Sequence, residues 1–88
     1  MAKRLQVWQT ALIFGGKQRY VMVAAPSRKE AARLMRASYA WLGTHGYNLT
    51  HLVPTNADVA MAFNNPGVLY ASTDMNYPRV YKEIPSFI

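Results

Sequence analysis

Apolar and polar positions along this chain fall into a few separable stretches. Arg4 to Phe14 is rich in β-branched and aromatic residues, and a strand pattern resumes from Arg19 to Ala25 through Tyr20-Val21-Met22-Val23. Gly15-Gly16 stands between the two runs. Strand-like runs joined at Gly-Gly predict a hairpin, because a tight primed turn needs positive φ at both central positions. Such a turn sets Val7 opposite Ala24, Trp8 opposite Val23 and Ala11 opposite Tyr20. Both faces of the ribbon carry apolar residues, so the alternation does not choose a core face.

Pro26-Ser27 stops the second strand. Ser27-Arg28-Lys29-Glu30 has capping-box spacing: the Ser27 hydroxyl accepts the Glu30 amide, and the Glu30 carboxylate accepts the Ser27 amide. Beyond it, Ala31, Leu34, Met35, Ser38, Tyr39 and Leu42 recur at helical spacing, with Trp41 at the margin. Lys29, Arg33 and Arg36 cluster on the opposite face. One long amphipathic helix over 27–43, stopped at Gly43 or Gly46, is the expectation. A second reading breaks it. Glu30-Ala31-Ala32-Arg33-Leu34, then Ala37-Ser38 and Leu42, resembles the helix-turn-helix signature of small DNA-binding domains, with Ser38 opening the second helix. Arg36 departs from that signature, which commonly has a turn glycine there.

Residues 45–54 read as irregular, anchored by Tyr47, Leu49 and Leu52. Thr55-Asn56-Ala57-Asp58 opens a shorter helix whose apolar residues are Val59 to Phe63, and Asn64-Asn65-Pro66-Gly67 ends it. Val68 to Ala71 reads as a strand, Ser72 to Pro78 as a loop, and Arg79 to Ile84 as a last strand whose charges suit a sheet edge. The expected fold class is α+β: a small antiparallel sheet in the order β-β-α-α-β-β, with one long amphipathic helix packed on one face, in two layers.

With 88 residues there is room for one domain, which buries roughly 60–65% of its unfolded surface. The chain is 51% hydrophobic, enough to fill one small core. It has no cysteine, which excludes disulfide frameworks, thiol catalysis and cysteine zinc modules. Lys3 and Arg4 before Val7 to Gly15 loosely imitate an export signal, but Gln6, Gln9 and Thr10 interrupt the apolar run, and a strand is the better reading. No stretch approaches the ~20 apolar residues of a membrane helix. A cytoplasmic protein without membrane contact is expected.

The inventory for catalysis is thin. The histidines are His45 and His51, and the acids are Glu30, Asp58, Asp74 and Glu83. A Ser38, His45, Asp58 triad can be written down, but spacing gives it no support. His45 and His51 lack a convincing third metal ligand and read as polar loop residues. Gly15-Gly16-Lys17 sits in a hairpin, not in a strand-to-helix phosphate loop. The expectation is therefore no enzyme, no metal and no cofactor.

Charge changes the picture more. Ten Lys and Arg against four Asp and Glu leave a net +6. Arg28, Lys29, Arg33 and Arg36 share one helix, Lys17 and Arg19 follow the hairpin turn, and Arg79 and Lys82 flank Tyr77 and Tyr81. Cations interleaved with aromatics suit phosphate contact and base stacking. These positions point to a partner-binding surface: Lys29, Arg33 and Arg36 first, with Arg28, Lys17 and Arg19 as secondary contacts. Phe87-Ile88 and the two-sided hairpin offer apolar surface that a second copy could cover as a homodimer.

The segments S-x-x-E-A-A-R-L at Ser27 to Leu34 and P-G-V-x-Y at Pro66 to Tyr70, set behind a hairpin, resemble small uncharacterised proteins encoded by bacteriophages and prophages. The resemblance spans residues 4–71. It implies an accessory protein that binds a host protein or nucleoprotein complex, such as an anti-CRISPR-like inhibitor of host defence or of nucleic-acid processing; the alternative is a small DNA-binding protein. It transfers no catalytic residues.

Overall fold

A computed structural model describes residues 5–14, 16–72 and 80–84, the side chains of Phe14 and Lys17 excepted. The first two strands, β1 (Gln6–Phe14) and β2 (Lys17–Ala25), form an antiparallel ribbon in the expected register, with Val7 against Ala24, Trp8 against Val23 and Ala11 against Tyr20. Gly16 has φ 75°, as a tight turn between them requires. The chain continues through α1 (Arg28–Met35), α2 (Tyr39–His45), β3 (Tyr47–Asn48), a 3₁₀ turn at Thr50–Leu52, α3 (Ala57–Asn64), β4 (Leu69–Ser72) and β5 (Tyr81–Ile84). The strands make one antiparallel sheet in the order β3-β1-β2-β4-β5. β5 lies at the edge, as its charges suggested.

The α+β class and the antiparallel sheet hold, but the expected element order does not. A fifth strand, β3, lies in the stretch read as irregular, held by the Val7 carbonyl, which accepts the Leu49 N–H at 2.7 Å, and by the Thr50 hydroxyl, which accepts the Val7 N–H at 3.0 Å.

The long helix over 27–43 is also replaced. α1 ends at Met35, and Arg36 turns left-handed at φ 55°, ψ 34°. The Arg36 N–H donates to the Arg33 carbonyl at 3.2 Å, and the Ala37 N–H donates to the Ala32 carbonyl at 3.0 Å. These two bonds form a Schellman ending with arginine where glycine is usual. Ser38 then caps α2, its hydroxyl accepting the Trp41 N–H at 2.9 Å. Helical periodicity runs unbroken through 36–38, so it hides the break. The deciding chemistry is local: a short hydroxyl side chain can satisfy a fresh set of N-terminal amides. Ser38 and Tyr39, expected on the packed face, are exposed.

Helices cover both sheet faces, which corrects the two-layer expectation and uses the two-sided hairpin within the chain. On one face Val21, Val23 and Ala25 pack with Ala31, Ala32 and Met35 of α1 and Leu42 of α2. On the other, Val7, Met22, Ala24 and Tyr70 pack with Val59 and Ala62 of α3. β2 therefore runs through the middle, and Val21 to Ala25 are all buried. The α3 cap is Asn56, whose side-chain oxygen accepts the Asp58 and Val59 amides at 3.0 and 3.1 Å. Expectations for Lys3, Arg4, the Ser72 to Pro78 loop beyond Ser72, Arg79, and Phe87-Ile88 fall outside the described residues. Among the described residues no helix is long and apolar enough to cross a membrane.

Candidate functional site

The site begins at the crook between α1 and α2. Lys29, Arg33 and Arg36 are all exposed on α1 or at its end. They are not equally available. Arg33 is bound to Glu30 of its own helix: its Nε donates to both carboxylate oxygens at 3.0 and 3.1 Å, and a terminal nitrogen adds a third contact. The hydrogen bond from Arg33 holds the Glu30 carboxyl below its ordinary value, and the carboxylate raises the guanidinium in return. This pairing corrects half of the capping box. Ser27 does accept the Glu30 amide, at 3.2 Å, but the Glu30 carboxylate turns to Arg33 instead of the Ser27 amide. The fork of Arg33 outcompetes a backbone amide because a charged, bidentate pair is the stronger hydrogen-bonding arrangement.

Arg28 is half-buried. Its guanidinium lies 3.7 Å from the centre of the Tyr39 ring and against Gly43, so a short side chain at 43 lets the arginine lie along α2. Its Nε is buried without a hydrogen-bond partner. Arg19 is half-buried in β2, and the Lys17 side chain is outside the described residues. The structure thus gathers Arg28, Lys29, Arg33 and Arg36 on α1, while Lys17 and Arg19 belong to the hairpin.

Sequence reasoning missed a second feature, on the other side of α2. Four rings, those of Tyr20, Trp41, His45 and Tyr47, border a cleft of about 340 Å³ where β1 runs past the short β3. Trp41 is held in place there. Its Nε1 donates to the Thr10 hydroxyl at 3.2 Å, its ring stands 4.1 Å from the His45 ring, and Thr10 itself is fully buried and donates to the His45 carbonyl at 3.4 Å. Even so, Trp41 is 43% exposed and Tyr47 is 61% exposed. Among the described residues no carboxylate borders the cleft. A signal existed in the sequence: Trp41 at the margin of the helical stripe, four residues from His45 and six from Tyr47. Only tertiary placement of β3 brings Tyr20 to them.

The residues considered for catalysis stay apart. Ser38 caps the start of α2, His45 ends it against Trp41, and Asp58 begins α3 on the opposite sheet face. Among the described residues no group of three His, Asp or Glu stands close enough to hold a metal ion. No family model, curated protein or solved structure matches this chain.

Proposed function

We propose that this chain is a non-enzymatic binding protein of the phage accessory type that docks an anionic face of a host macromolecule onto the cations of α1. In its sharpest form it inhibits a host defence or nucleic-acid-processing complex. The observation that carries the reading is Arg36. A non-glycine residue in the left-handed region costs roughly 1–2 kcal/mol, and a cation at a helix C-terminus returns about 0.3–1 kcal/mol. Glycine would serve the fold equally well at that turn, which supports a use for the exposed guanidinium outside the fold. Lys29 stands exposed on the same helix, and the one acid of α1, Glu30, is taken by Arg33. The phage-type element rests on the resemblance of residues 4–71.

Retention on an immobilised polyanion across a salt gradient tests the surface. Arg36→Glu and Lys82→Glu change net charge equally, and Lys82 lies exposed on the edge strand β5. Arg36→Glu is expected to elute at clearly lower salt than Lys82→Glu. Equal losses would mean that only net charge is felt. Capture of a host partner by wild-type protein, lost when Lys29, Arg33 and Arg36 are all reversed to Glu, tests the host-binding part.

A specific observation also favours the DNA-binding alternative: the chain does break at Arg36, and Ser38 does open the second helix. That helix, Tyr39 to His45, carries no Lys or Arg, which leaves the phosphate contacts to α1. Duplex affinity that falls steeply with salt supports it; absence of duplex binding at low salt ends it.

A further inference from the structure

We propose that the cleft bordered by Trp41 and Tyr47 is a stacking site for unpaired nucleobases, so that the anionic partner of the α1 surface is a single-stranded nucleic acid. This rests on the reading of α1 as an anion-binding face and names the class of its ligand.

Three observations converge. First, the cleft combines ring faces with exposure. Surface aromatics supply stacking for any base, since every base has a π-face. Second, Trp41 is preorganised. An exposed indole ordinarily samples several rotamers, yet this one is pinned by a hydrogen bond to a fully buried threonine and braced by His45. Fixing a ring before binding removes the ordering cost that a ligand must otherwise meet. Third, the charges match a polyanion. Among the described residues no carboxylate borders the cleft, and α2 joins it to the cationic helix. One side of α2 offers Tyr39 to Arg28; another offers Trp41 and His45 to the cleft. A seven-residue helix is roughly 10 Å long, so phosphates on α1 and bases in the cleft can belong to one short strand.

The test is a fluorescence-anisotropy titration with labelled oligodeoxyadenosine and oligoadenosine of about 12 nucleotides, within the site size of small single-strand binders. An abasic strand of equal length and a blunt duplex complete the set. Tyr47→Ala and Trp41→Ala are each expected to weaken the base-bearing strands by about 5- to 150-fold and to leave the abasic strand unchanged. Tyr47 is exposed, so its variant keeps the test decisive even where Trp41→Ala fails to fold. Arg36→Glu should weaken base-bearing and abasic strands together. Equal binding of abasic and base-bearing strands overturns the stacking site while leaving the cationic surface standing. Preference for duplex overturns it in favour of the helix-turn-helix alternative. Failure of every strand to bind overturns it too; the polyanion comparison of Arg36→Glu with Lys82→Glu then judges the α1 surface separately.

Discussion

Two glycines of one short segment should respond in opposite ways to the same added methyl group. At Gly46, which closes α2, a Cβ would lie 2.4 Å from the Leu42 carbonyl oxygen and 2.6 Å from the Leu42 Cδ1. That carbonyl accepts the Gly46 N–H at 2.9 Å, and Leu42 is the fully buried residue of α2. Backbone φ at Gly46 is −91°, so the obstacle is space and not torsion. Accommodating the methyl disturbs a hydrogen bond worth about 0.5–1.5 kcal/mol. It also overpacks a core residue, at about 1–3 kcal/mol. Reduced freedom of the unfolded chain returns about 0.4–1 kcal/mol. Gly46→Ala is therefore expected to destabilise by about 1–4 kcal/mol, lowering Tm by about 4–8 °C for each kcal/mol. At Gly43 a Cβ meets only the Arg28 guanidinium, 2.7 Å from one terminal nitrogen, and that end of the side chain can swing away. Replacing a helical glycine by alanine gains about 1 kcal/mol, against about 0.5–1 kcal/mol for the displaced stack on Tyr39. Gly43→Ala should match or slightly exceed wild-type stability. Urea unfolding of both variants, followed by circular dichroism, reads the difference. If Gly46→Ala unfolds with the wild-type midpoint, or Gly43→Ala loses as much as Gly46→Ala, the packing of α2 on the sheet is refuted.

Arg36→Gly should leave stability within about 1 kcal/mol of wild type, because the relief of left-handed strain is offset by the lost cation at the helix end and the added freedom of the unfolded chain; the same variant should elute earlier from a polyanion matrix, and a loss of more than about 2 kcal/mol would contradict the turn geometry. Following the Glu30 carboxyl by NMR against pH should give a midpoint below the ordinary glutamate value, restored by Arg33→Gln. Because the folded value is depressed, the helix support from this pair is full above the unfolded value and disappears as pH falls through the folded one. An unchanged midpoint in Arg33→Gln would show that the pair does not form.

The hairpin was legible because its determinants are local: Gly-Gly chemistry and the alternation on either side set the register without help from the rest of the chain. α3 was legible for the same reason, bounded by Asn56 and by Asn65-Pro66-Gly67. The break at Arg36 was harder. An αL arginine looks like any surface cation on a helical wheel, and only the pairing of a Schellman ending with the Ser38 cap distinguishes two helices from one. The helix-turn-helix pattern did flag Ser38, yet its glycine rule argued against the break. β3 was hidden because two residues carry no periodicity, and its partner groups lie some forty residues earlier in the chain. The cationic positions on α1 were readable from spacing, but the diversion of Arg33 to Glu30 was not, since Glu30 had an equally plausible local role as a reciprocal cap. The aromatic cleft needs four elements to assemble, so no window of sequence contains it.

The central position of β2 has a consequence for the order in which the molecule comes apart. Its nine residues pair with β1 along their whole length, and its last five are shut off from solvent by helices on either side. Amides there exchange with deuterated water only when the whole domain opens. The two-residue strand β3 and the 3₁₀ turn after it are held by a shorter set of contacts, the bonds of Val7 to Leu49 and Thr50 and the half-buried Leu49 and Leu52. Their opening would strip one outer wall of the cleft and leave the central ribbon paired, so deuterium should enter β3 well before it enters β2.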